Sequence, residues 1–460
     1  MPSPIALAEQ LPEVARAVAA VRQGRSLAEV LPTVPQRLRP GVQALTFLAM
    51  RRAGQTRALL ACLTHRPPAA RVAALLEAAL ALLIEGAGYP PYAVVDQSVR
   101  ALPALRAGAL SGFVNACLRR FLRERTALLA RVQEDVEARW NHPAWWVQRL
   151  QRDHPRHWQA VLEADDRPAP MVLRVNRRQG TRDAYQARLA ALGWACEPLG
   201  EDGLVLAQAV PVAQLPGWAD GAVSVQDGAA QLAAPLLLQT GLPPGARVLD
   251  ACAAPGGKTA HLLERADIAL WALDVDAARS ERIRETLQRL RLPAAGSRAQ
   301  VLTADAADPA AWWDRRPFDA IVLDAPCTAS GIVRRHPDVR WLRRDSDVAA
   351  LAAQQQRLLQ ALWPLLRPGG CLLYATCSVF RAEGQAVIET FCQQRPDTQR
   401  LPAPGHLLPE GLAADAPGGR AAPASADDTD ATTTGTRPGA IGDNARRGMD
   451  GFFYARLRKA

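Results

Sequence analysis

The segment Ala246-Arg247-Val248-Leu249-Asp250-Ala251-Cys252-Ala253-Ala254-Pro255-Gly256-Gly257-Lys258-Thr259 is an apolar strand that runs straight into a glycine turn and then a helix. That succession puts backbone N–H groups and a helix N-terminus at the carboxyl edge of a sheet. Its spacing is neither G-x-G-x-x-G nor G-x-x-x-x-G-K-[ST], so the phosphate-loop reading is weak. Two further strands follow, Ile268 to Asp274 and Ala299 to Asp305, each ending in an acid. A carboxylate at the first position suits the two hydroxyls of a ribose, and one at the second can receive an adenine amino group. A single strand-end Asp is usually a helix cap or a loop residue. Two on successive strands after a glycine turn favour a nucleoside-bearing cofactor, and without a phosphate loop S-adenosylmethionine fits better than NAD.

Outward from this segment, short apolar strands alternate with helical patterns from about residue 225, the signature of an α/β, doubly wound Rossmann-like sheet. A fourth strand, Phe318 to Asp324, leads into Ala325-Pro326-Cys327. A fifth, Gly370 to Cys377, leads into Ser378, and a helix from about Asp345 to Leu366 lies between them. A right-handed crossover predicts two parallel, neighbouring strands with Cys327 and Cys377 at their carboxyl ends, where ligands bind. A lone strand-end Cys is more often a small buried hydrophobe than a nucleophile, and Cys252 and Cys371 read that way. Two cysteines beside an Asp at one pocket edge are harder to dismiss. A thiolate adding to C6 of cytosine makes C5 nucleophilic towards a sulfonium methyl. The thiol then needs activation, and a second base must take the C5 proton. The base must also leave its stack.

Residues 1–142 read as helical, most clearly Val72 to Ile84, and 143–224 as a small mixed α/β module. The clustered indoles of Trp140, Trp145 and Trp146 predict packing between domains, with base stacking as the other reading. The Arg residues of the helix after Gly112 line either a solvated surface or an RNA contact. Residues 225–460 form the third part. Within it, 401–447 is rich in Pro, Gly, Ala, Asp and Thr and reads as a mobile loop, after which Gly451 to Leu457 adds a strand.

A net charge of +10 points to a polyanionic partner, nucleic acid first. The cations are nearly all arginine, which makes the lysine at 258 informative as a compact point charge. Val72 to Tyr89 is interrupted by Glu77 and Glu85, against a bilayer span, and Met1 to Val14 shows no signal peptide. Eight scattered cysteines without a CxxC pair fit a reducing cytoplasm and no zinc site. A cytoplasmic monomer with no membrane or metal partner is expected.

Four stretches together resemble the RNA cytosine-C5 methyltransferases, in their bacterial 16S rRNA branch of the Sun/Fmu type. They are Asp250 to Thr259; Asp324-Ala325-Pro326-Cys327 with Ser330-Gly331; Arg334-Arg335-His336-Pro337-Asp338 with Trp341 to Asp345; and Ala375-Thr376-Cys377-Ser378. The resemblance extends to a NusB-like helical N-terminal domain. It implies that Cys377 is the nucleophile and that Cys327 assists proton removal and release. It implies further that Cys252, Ala253, Ala254, Pro255, Gly256, Gly257, Lys258, Asp274, Asp305 and Asp324 hold or border S-adenosylmethionine. The basic segment Arg334 to Arg344 is expected to face 16S rRNA. Three readings compete: a transfer-RNA methyltransferase, a DNA cytosine methyltransferase using the Pro-Cys thiol, and an inert NusB-like assembly factor.

Overall fold

The structure, a computed structural model, describes residues 5–86, 88–293, 298–411 and 448–460. Contacts divide the chain into two units. The first comprises Met1–Arg152, Trp158–Arg167 and Val333–Asp345 and is helical. Its central helix, Ala70–Glu85, is buried on nearly every side through Leu75, Leu76, Leu80 and Leu82, packing against Leu7–Arg22 and Arg39–Arg51. A helix apolar all round belongs inside a bundle. Its one buried acid, Glu77, pairs with Arg22, and the helix stops at Gly86, which takes the left-handed conformation (φ 65°).

The returning piece Val333–Asp345 is part of this helical unit, and at Arg334 and Arg340 it corrects the expectation of an RNA-facing basic segment. Arg334 and Arg340 are buried. The Arg340 guanidinium donates to the carbonyls of Asn141 (3.0 Å) and Asp165 (2.7 Å) and to the Asp166 carboxylate (2.6 Å). Trp341 donates its indole N–H to the Met50 carbonyl (2.8 Å) and lies under the Arg57 guanidinium. The indole cluster packs inside the same unit. Trp146 is fully buried, and Trp140 meets Trp158 edge-on with ring centres 5.0 Å apart.

The second unit holds two sheets. The smaller is antiparallel, in the order β2-β3-β1-β4, with β1 Val172–Val175, β2 Cys196–Leu199, β3 Gly203–Leu206 and β4 Val223–Val225. The larger has seven strands: β5 Arg247–Ala251, β6 Ala269–Asp274, β7 Arg298–Thr303, β8 Phe318–Asp324, β9 Leu366–Thr376, β10 Thr398–Leu407 and β11 Phe452–Lys459. Their order is β10-β11-β9-β8-β5-β6-β7. Strands β5 to β9 run parallel, as the alternating strand and helix pattern predicts; the centres of β5, β6, β8 and β9 are buried, while β7 at the sheet edge stays partly exposed. Strand β11 inserts antiparallel between β9 and β10.

Part of the segment read as a mobile loop is therefore strand. Leu401–Leu407 belongs to β10, while 412–447 lie outside the described residues. Pro402 and Pro404 hid it in the sequence. They fall where the pairing with β11 slips between Leu401 and Gly405, on an edge strand, which is where a sheet tolerates proline.

Candidate active site

Strands β8 and β9 are neighbours in register, Asp324 opposite Ala375, so the chain leaves both at the same edge. Three residues past β8 stands Cys327, and immediately past β9 stands Cys377. Their sulphurs are 3.4 Å apart. The Gly331 N–H donates to the Cys377 carbonyl (2.9 Å) and closes the two loops on each other. Gly331 has to be glycine, because a Cβ there would sit 2.0 Å from the Gly451 carbonyl oxygen. A hydrogen bond with Cys377, burial, and the negative charge of that neighbour all push the Cys327 thiol well above its ordinary range. Cys327 therefore holds its proton more tightly than a free thiol does.

Lys258, on the first turn of the helix Gly257–Arg265, reaches across from β5 and donates to Asp324 Oδ2 at 2.6 Å. Burial works against its charge, but the Asp324 carboxylate outweighs burial and holds the ammonium above its usual range, with a Cys377 anion adding to the effect. A fixed positive charge thus stands within Coulomb reach of Cys377 and touches Asp324. Asp324 itself is partly open to solvent.

The glycine turn is built by its neighbours. Ala253 N–H donates to the Leu273 carbonyl (2.7 Å) and Ala254 N–H to Asp274 Oδ2 (3.2 Å), tying the end of β5 to the end of β6. Pro255 then leads to Gly256, whose φ of 97° is open to glycine and strained for other residues. Cys252 also has a left-handed φ (64°), and burial with Asp324, Asp274 and Asp250 raises its thiol to about 12, so it stays neutral. Asp274 accepts from the Asp276 N–H as well (3.2 Å). Asp305 stands apart: its carboxylate accepts from the Ala307 N–H (2.9 Å) and from Arg357 (3.2 Å). The structure therefore brings Cys252, Lys258, Asp324, Cys327 and Cys377 into one cluster, with the 253–257 turn and Asp274 adjoining it and Asp305 at the rim.

Asp250 is fully buried behind the turn. Thr259 donates its hydroxyl to Asp250 Oδ2 (2.5 Å), while Oδ1 has no partner in the structure. Burial raises its carboxyl to about 7, against the opposing Thr259 hydrogen bond. An acid whose folded pKa exceeds its unfolded one contributes stability fully below about pH 4, and that contribution is lost as pH rises through about 7. Asp250→Asn is insensitive to this change. Its melting temperature relative to the unsubstituted protein should therefore climb between pH 5 and 8, as thermal unfolding across that range would read directly. A flat difference would mean that Asp250 is ionised throughout.

Two groups of supporting residues have no signature in the sequence. Arg174, on β1 and fully buried, donates to the Gly257 carbonyl (2.8 Å), to Gln226 Oε1 (2.5 Å) and to both oxygens of Glu264 (2.9 and 2.8 Å). Glu383, six residues past Cys377 and also buried, accepts from Thr328 and Ser378. Glu383 reads in the sequence as an ordinary acid just ahead of the helix Gln385–Gln394.

The mixed seven-stranded sheet, with its glycine turn facing acids on the adjoining strands, defines a Rossmann-like methyltransferase fold. Family models agree over most of the chain. One described as 16S rRNA methyltransferase RsmB/F matches residues 239–458, an RsmF/B-like ferredoxin-like domain matches 142–213, and the NusB family matches 11–123. The chain is 44% identical over 400 residues to ribosomal RNA small subunit methyltransferase B of Pseudomonas putida, covering 84% of this chain and 89% of that one. To the protein of the same name in Pseudomonas syringae it is 40% identical, over 97% and 96% of the two chains. Among solved structures, NSun6 from Pyrococcus horikoshii superposes with a TM-score of 0.53 at 16% identity, covering 69% of this chain and 98% of that one. The chain belongs to the RsmB/F family of 16S rRNA methyltransferases.

Among the described residues no helix is long and apolar enough to cross a membrane.

Proposed function

We propose that this chain, acting as a cytoplasmic monomer, transfers a methyl group from S-adenosylmethionine to C5 of a cytosine in 16S rRNA, with Cys377 as the nucleophile. One observation carries the reading: two thiols from distant parts of the chain face each other at 3.4 Å beside the Lys258–Asp324 pair. The turn fits the cofactor. Gly256 holds the turn at a φ of 97° that a side chain would strain, Asp274 lies at the strand end where a ribose would be held, and an unpartnered buried oxygen of Asp250 lies behind the turn. Cys252 to Lys258, Asp274, Asp305 and Asp324 would hold or border S-adenosylmethionine, which supplies an electrophilic methyl group. The division into a helical part at 1–142, a small α/β module at 143–224 and a catalytic part at 225–460 belongs to this proposal.

The protein's own groups divide the work. Cys377 adds to C6 and its sulphur forms a new bond there, moving electron density to C5 and N3. The Lys258–Asp324 pair supplies positive charge and a proton on the ring-nitrogen side. After methyl transfer the C5 proton passes to a water molecule, its bonding electrons restore the C5–C6 double bond, and the S–C6 bond breaks with its electron pair returning to the Cys377 sulphur. Cys327, in contact with the departing sulphur, assists that proton removal and release.

Bisulfite sequencing of total RNA from a strain lacking the gene tests substrate and position together. One cytosine in 16S rRNA should lose its protection and regain it when the gene is restored. Loss confined to transfer RNA, or no loss at all, would overturn the assignment.

A further inference from the structure

We propose that Glu383 is a positioning residue whose single carboxylate sets the gap between the Cys327 and Cys377 sulphurs. The inference rests on reading those two cysteines as the reacting pair. Glu383 lies on a short turn, Arg381–Glu383, that folds back beneath both cysteine loops. Its Oε1 accepts the Thr328 N–H (2.8 Å) and the Gln355 side-chain N–H (3.4 Å). Its Oε2 accepts two hydroxyls, from Thr328 (2.5 Å) and Ser378 (2.6 Å). Thr328 follows Cys327 in the chain and Ser378 follows Cys377. One rigid, planar group therefore grips the residue next to each sulphur.

The surroundings fix Glu383 in turn. Its backbone carbonyl (2.9 Å) and Gln355 Oε1 (3.0 Å) share the single hydroxyl proton of the buried Tyr374. Ser378 and Ser330 share a hydrogen bond (2.8 Å), and Ser330 accepts the Val379 N–H (3.0 Å). Every listener on the carboxylate is a donor, the pattern an ionised acid satisfies and an apolar side chain leaves unpaired. Buried networks of this kind hold one geometry when every member is satisfied. Loop residues by themselves drift, and a displacement of about 1 Å in a reacting group can cost about a hundredfold in rate. The carboxylate touches neither sulphur, so its action runs through the two loops.

The test needs a readout of the sulphur gap that does not depend on catalysis. Phenylarsine oxide condenses with two touching thiols, forming two arsenic–sulphur bonds with loss of one water and no change of oxidation state. Peptide mapping by mass spectrometry should find one arsenical bridging Cys327 and Cys377 in the unsubstituted protein, and none when either is serine. Glu383→Ala should lose at least about tenfold in bridging rate and about a hundredfold in kcat, with KM for S-adenosylmethionine within about twofold, since the cofactor turn lies on other loops. Glu383→Gln keeps the shape and should recover part of both. Thr328→Val, which removes one hydroxyl from the grip and keeps the N–H, should fall between Gln and the unsubstituted protein and covers the case in which Glu383→Ala does not fold. Bridging and turnover at the unsubstituted rates in Glu383→Ala, or in Thr328→Val where Glu383→Ala does not fold, would overturn the proposal. Bridging that depends on Glu383 in a protein with no activity on any RNA would leave the positioning intact and remove the function instead.

Discussion

Cys377→Ala should abolish methyl transfer, a loss of about a thousandfold or more, because the Cys327 thiol left behind is buried beside Glu383 and held above its ordinary range, which makes it a poor nucleophile. Cys327→Ala should behave differently. It should still attack, then fail to complete release, and accumulate a protein–RNA adduct that survives denaturation. The geometry explains the asymmetry. The sulphurs touch at 3.4 Å, and Cys327 retains its proton because a hydrogen bond with Cys377, burial and that neighbour's charge all oppose its ionisation. Lys258, held to Asp324 at 2.6 Å, places its positive charge on the Cys377 side of the pair. Denaturing gel electrophoresis of each variant with 16S rRNA and S-adenosylmethionine reads the outcome. An adduct with Cys377→Ala in place of Cys327→Ala would reverse the roles and restore the competing assignment, in which the Pro-Cys thiol attacks.

Arg174→Met should be the most damaging substitution outside the cysteine loops. The Arg174 guanidinium meets both oxygens of Glu264 at one end of the helix Gly257–Arg265 and the Gly257 carbonyl at the other. It therefore splints the helix whose first turn forms the cofactor site. Removing one partner of a fully buried pair costs about 3–5 kcal/mol, because the other charge stays behind in a dry interior. For a unit of this size that lowers the melting temperature by about 10 °C. Glu264 would take up a proton in response, as burial already raises its carboxyl. The double variant Arg174→Met with Glu264→Leu should be milder than Arg174→Met alone, since no charge is stranded. S-adenosylmethionine affinity, measured by titration calorimetry, should fall in the single variant. If the single and double variants melt alike, the splint contributes nothing.

What the sequence disclosed follows a physical division. Strands β5, β6, β8, β9 and β11 announce themselves because strands buried on both faces are largely apolar runs, and the glycine turn and the two cysteines sit at the ends of β5, β8 and β9. Cys327 and Cys377 are 50 residues apart, yet a right-handed crossover leaves one way to arrange them, and the structure has them in contact. Residues that act through partners stayed hidden. Arg174 and Glu264 are 90 residues apart and each looks like an ordinary surface charge in its own segment. Arg334 and Arg340 looked like a basic face because nothing local shows that Asn141, Asp165 and Asp166 surround one of them. In a chain that uses arginine almost everywhere, charge alone cannot separate a phosphate contact from a structural clamp.

The return of residues 333–345 to the helical unit bears on how the polypeptide is made. Synthesis runs from the N-terminus, and domains commonly mature in that order. Here Asn141, Asp165 and Asp166 wait for Arg340, and Asp338 accepts the Leu27 N–H (2.9 Å) from 311 residues away. The first unit to emerge from the ribosome is thus left unfinished until three-quarters of the chain has been translated. A fragment ending near residue 167 would lack these partners for the Asn141 and Asp165 carbonyls and the Leu27 N–H, and the N-terminal part gains its final rigidity only after most of the catalytic sheet exists.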